Sequence, residues 1–115
     1  MLKSQPLNNT NKHLEFNASL IHSKINLSAT QLIRLGTPFH DLSNRVEQAS
    51  LVLKEQMLNK AHSMPVDTNR ATDSIRMLNA SANCLAHLQS KETASIALNL
   101  KDVVIYVISA LEVTI

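Results

Sequence analysis

A single glycine, Gly36, serves all 115 residues, and this narrows the folds open to the chain more than any other feature. Tight β-hairpin turns need backbone with positive φ, which glycine adopts without a steric penalty. A chain with one glycine and three prolines is poorly equipped to link many short strands. At 44% hydrophobic residues, it is still apolar enough to bury a core. The expected fold class is therefore all-α. The core must be aliphatic, because Phe16, Phe39 and Tyr106 are the only aromatic rings and tryptophan is absent.

Periodicity places the helices. Residues 1–11 are polar and aperiodic and read as a flexible N-terminal tail, leaving 12–115 as one helical domain. Leu14, Ala18, Ile21, Ile25, Ser28, Leu32 and Leu35 recur at alternating steps of four and three, the spacing of one helical face. Leu14, Phe16, Ala18 and Leu20 also alternate as a strand would, but no hairpin turn follows them, so helix is the favoured reading of 12–27. Ser28-Ala29-Thr30-Gln31 fits a capping box and allows a kink near 26–28. Gly36 is expected to end this helix in the left-handed conformation, with Thr37-Pro38 capping and opening the next.

The second helix carries Phe39, Leu42, Val46, Ala49, Leu53 and Met57, flanked by Val52, and ends near Ala61 before Met64-Pro65. Asp67 or Thr68 caps a third, striped by Ala71, Ile75, Leu78, Ala82 and Leu85. Ser90 caps a fourth, from about Lys91 towards the last residues. These elements predict a three- to four-helix up-down bundle. In the fourth helix, Val103–Leu111 is the most apolar stretch of the chain. Its apolar arc is wider than a helix covering a core from outside requires, which predicts that helix four is the most buried member and shares its surplus with a partner. The uninterrupted run spans about half of the ~20 residues a bilayer requires, so no membrane span is expected.

Candidate chemistry is sparse. Cys84 and His87 lie one helical turn apart and could in principle hold a metal or form a thiolate–imidazole pair. No further ligand stands at a supporting spacing, so no metal and no cofactor are expected. One glycine leaves no room for a glycine-rich phosphate loop, and the carboxylates form no paired-acid motif. The segment Arg34-Leu35-Gly36-Thr37-Pro38-Phe39-His40 resembles the Arg-x(4–6)-His motif of HEPN-family helical ribonucleases. The resemblance covers these seven residues alone. It would imply that Arg34 handles phosphate and His40 transfers protons, though the Gly-Thr-Pro between them breaks the helix. On helix three, Arg70 and Arg76, interspersed with asparagines, could touch phosphates and base edges. The net charge of +2 comes from residues spread along the chain, not gathered into the basic stripe usual for nucleic-acid binding.

The sequence thus points away from an enzyme and towards a helical interaction or adaptor protein, self-associating or docking on a protein partner through its C-terminal helix. Val103, Tyr106, Val107, Ala110 and Val113 are the expected interface. A small nucleic-acid-binding regulator using Arg70 and Arg76 is the alternative, and a HEPN-like ribonuclease is a more distant one. The lone Cys84 excludes an intrachain disulfide, and the N-terminus lacks the apolar segment of a secretory signal. Both favour the reducing cytoplasm.

Overall fold

The computed structural model describes residues 4–115, with side chains from Lys12 onward. Four α-helices follow one another: α1 (Ser4–Leu35), α2 (His40–Ala61), α3 (Thr68–Ala86) and α4 (Lys91–Leu111). A short 3₁₀ turn, Thr37–Phe39, joins the first two. Each helix runs antiparallel to the next, and α4 closes the ring by lying antiparallel along α1. The all-α up-down bundle expected from glycine content and periodicity is the observed architecture.

The apolar stripes account for the packing. Leu14, Ala18, Ile21, Ile25 and Leu32 of α1 are buried, as are Val46, Ala49, Leu53 and Met57 of α2. All five α3 stripe residues, Ala71, Ile75, Leu78, Ala82 and Leu85, are fully buried. α4 contributes Ile96, Ala97, Leu100, Val103, Val104, Val107 and Leu111. It lies mainly on α3 and α1, with little against α2. Eight of its 21 residues are buried, against eight of 22 in α2 and seven of 19 in α3, so it leads its neighbours only marginally and does not stand apart as the sequence suggested. Its 21 residues are long and apolar enough, by length and composition, to cross a membrane. That length takes in Lys101 and Asp102, the charges that weigh against a span when the apolar run is extended to bilayer length.

Several boundaries differ from expectation. α1 starts at Ser4, so residues 4–11 belong to the helix and not to a tail; residues 1–3 lie outside the described residues. At ~1.5 Å rise per residue its 32 residues span about 48 Å, most of the molecule's 53 Å length. α1 passes through Ser28 without a break. Ser28 caps nothing: it is buried, and its hydroxyl accepts a hydrogen bond from Asn99 at 2.6 Å.

Gly36 adopts φ 119°, ψ 176°, an extended positive-φ conformation essentially reserved for glycine and not the left-handed one. Asp67 and Ser90 cap α3 and α4 as expected, accepting from the amides of Arg70 (3.1 Å) and Thr93 (3.2 Å). With no other glycine available, Ser63, Gln89 and Glu112 take positive φ themselves, at 57°, 51° and 55°. The amides of Met64 and Ser63 close α2 by bonding the carbonyls of Asn59 and Lys60, and those of Val113 and Glu112 do the same for α4 with Ile108 and Ser109. Each such non-glycine residue costs roughly 1–2 kcal/mol of backbone strain.

Candidate interaction face

The expected interface residues divide sharply. Val103 and Val107 are sealed in the chain's own core, which removes them from any surface offered to a partner in this fold. Tyr106 is half-buried at the α1–α4 seam, where its hydroxyl accepts from Asn17 Nδ2 at 2.6 Å. Ala110 is half-buried and its carbonyl accepts from Lys60 Nζ at 2.6 Å, next to the 3.0 Å ion pair between Lys60 and Glu112. Val113 is half-buried just past the α4 terminus and packs on the edge of the core. Tyr106, Ala110 and Val113 are therefore structural at least in part.

On α4 the exposed apolar side chains lie on the side opposite these residues. Leu98 is 64% exposed and Ile105 68%. At ~100° per residue they point within about 20° of each other, directly away from the core. Lys101 and Asp102 sit between them along the helix, one on each edge of the stripe. Asp102 is on the edge nearer α1, where it lines a cleft of about 150 Å³ with Asn17, Leu20, Lys24 and Tyr106. α1 carries a second outer stripe, Phe16 (67% exposed), Leu20 and Leu27 (57%), nearly opposite its buried face. Phe16 and Leu20 are the residues that gave this segment its strand-like alternation. A helix with apolar residues on two faces produces the same pattern.

The other candidates are separated or already engaged. Arg34 lines an open cleft of about 410 Å³ with Gln31, Leu35, Lys91, Glu92, Ser95 and Ile96, and His40, across the helix break, is not part of it. The arrangement gives the HEPN-like pair no shared site. Arg70 is paired with Glu55 at 3.2 Å. Arg76 lies about 120° further round α3, in a groove with Arg45, Asp73 and Cys84. The two arginines therefore do not form one basic face. Cys84 is exposed, and His87 is the C-terminal cap of α3. Among the described residues, no three His, Cys, Asp or Glu side chains are placed to hold a metal ion.

Sequence reasoning missed a polar cluster between α1 and α2. His22 Nδ1 lies 2.7 Å from Ser50 Oγ, and Asn26 Nδ2 lies 3.0 Å from His22 Nε2. Ser50 is buried, so no substrate reaches it, and the cluster joins two helices. Gln56 was likewise missed: it is buried in α2, and its Oε1 accepts from the Asp67 amide at 2.7 Å, fixing the α2–α3 loop. Neither carries a local sequence signal, since the partners are 28 and 11 residues apart. A scan of protein-family models and searches of curated proteins and solved structures find no match to this chain.

Proposed function

We propose that this chain is a non-enzymatic interaction protein that docks on a protein surface through the outer face of α4. The observation that carries the reading is the exposure of Leu98 and Ile105 on a helix whose core-facing side is already fully packed. Fully burying a leucine or isoleucine contributes roughly 1.5–3 kcal/mol, and the folded monomer forgoes much of this at both positions. Scattered single apolar residues on a surface need no explanation. Two that are aligned on one helix, with charges bordering them, form the apolar centre and polar rim of a docking patch. The arginines of α3 favour this reading over nucleic acid, because Arg70 is engaged by Glu55 and Arg76 faces elsewhere.

The test compares Leu98→Glu/Ile105→Glu with Arg70→Ala/Arg76→Ala, each checked for wild-type helicity and melting temperature. The first pair is expected to abolish protein association, measured by sedimentation and by capture of partners from host extract, and the second to leave it unchanged. Association unaffected by the glutamates, or retention on heparin lost with the two arginines, would overturn the reading.

A further inference from the structure

Resting on that docking reading, we infer that the occupant of the α4 face is a second copy of this chain, aligned parallel to the first. The two charges at the middle of the patch, Lys101 and Asp102, select both the partner and its direction. Leu98 and Ile105 form the centre of the stripe, with Lys101 on one edge and Asp102 on the other. Neither charge forms an ion pair among the described residues, although both are exposed.

Closed homodimers use a two-fold axis and present the same patch on both sides. An axis parallel to α4 exchanges the two edges of the stripe. Lys101 of each copy then meets Asp102 of the other, twice over, while Leu98 faces Leu98 and Ile105 faces Ile105. The antiparallel arrangement needs a two-fold axis across the helix, which keeps each edge on its own side. That would set lysine against lysine on one edge and aspartate against aspartate on the other, with like charges opposed at the centre of the contact.

Extent sets the strength. Two large apolar side chains per copy are far from filling the ~800 Å² per partner of a standard interface, so Ala94, Ser95 and Ser109, which share the exposed side of α4, extend the contact. Such a dimer is expected to form at micromolar concentrations and to weaken with salt.

Charge reversal tests direction and partner together. Sedimentation equilibrium of the full chain at low salt is compared for the wild type, Lys101→Glu, Asp102→Lys and the double variant Lys101→Glu/Asp102→Lys. Both sites are exposed, and circular dichroism confirms equal helicity. In the parallel dimer each single reversal turns two attractive pairs into two repulsive ones and is expected to raise the dimer Kd by about tenfold. The double variant restores complementarity and the wild-type Kd. Singles that dimerise as well as the wild type overturn the proposal, because an antiparallel dimer opposes like charges in every variant. A wild type that stays monomeric at high micromolar concentration also overturns it. If Leu98→Glu/Ile105→Glu still abolishes capture of another protein in that case, the docking reading of α4 survives and only self-pairing fails.

Discussion

The seams on either side of α4 are held together differently. Against α1 the contact is laced with hydrogen bonds: Asn17 Nδ2 donates to Tyr106, and Asn99 Nδ2 donates to Ser28 Oγ and to the Lys24 carbonyl at 3.1 Å. Against α3, no side-chain hydrogen bond crosses among the described residues, and Ile75, Leu78, Ala82 and Leu85 share a core with Ile96, Leu100 and Val104. The difference follows from the sequences of α1 and α3. α3 has one apolar face, so burial alone sets its rotation. α1 has two, an inner stripe from Leu14 to Leu32 and an outer one of Phe16, Leu20 and Leu27. Hydrophobic burial is non-directional: its area term favours the longer inner stripe but leaves the exact rotation loosely set. Directional bonds from Asn17, His22, Ser28 and, on α2, Ser43, which donates to the Ala29 carbonyl at 2.7 Å, work only with the inner stripe on the core.

Adjacent residues of α4 separate the two kinds of contact. Leu100 is fully buried, and Leu100→Ala should destabilise the whole molecule by about 2–5 kcal/mol, the loss of transferred area plus the cavity left behind. Chemical denaturation should show a lower midpoint with an unchanged slope. Asn99→Ala should cost less, about 1–3 kcal/mol, because Ser28 Oγ remains buried with one partner removed. Its signature should be local: amide exchange quickens along the middle of α1 more than in α3. Uniform acceleration across all four helices would mean that the polar seam adds stability without fixing the rotation of α1.

Much of the bundle was legible because each inner stripe is a regular three-four repeat and the caps at Asp67 and Ser90 are local signals. The outward apolar stripe of α4 is legible in the sequence too. Leu98 and Ile105 sit inside the wedge of α4 that holds Lys101, Asp102 and Ser109. Apolar residues among charges at helical spacing are the mark of an outward stripe. The longer run at Val103–Leu111 is the louder signal, but Val103, Val104 and Val107 are greasy because they are core. The start of α1 was missed because residues 4–11 carry no apolar repeat, and the Ser50–His22 and Gln56–Asp67 bonds were out of reach because only the tertiary fold brings those groups together. The ends of α2 and α4 depend on serine and glutamate in a conformation usually left to glycine, so composition foretold the scarcity of glycine turns but not their substitutes.

The smallest expected effect bears on the same seam at its open end. Tyr106 and Asn17 border the cleft that also holds Leu20, Lys24 and Asp102, so water can reach the Asn17 amide once the phenolic hydroxyl is gone. Tyr106→Phe should therefore cost only about 0.5–1.5 kcal/mol, the net worth of one hydrogen bond and not the penalty of an orphaned donor. Thermal melts of Tyr106→Phe, Asn17→Ala and the double variant form a cycle, and the coupling between the two sites should account for most of either single loss. A Tyr106→Phe variant as damaged as Asn99→Ala would show this end of the seam to be as dry as the middle, and Tyr106 to be held for its bond and not its ring. A variant indistinguishable from wild type would place the whole directional constraint on α1 at Ser28, Ser43 and His22.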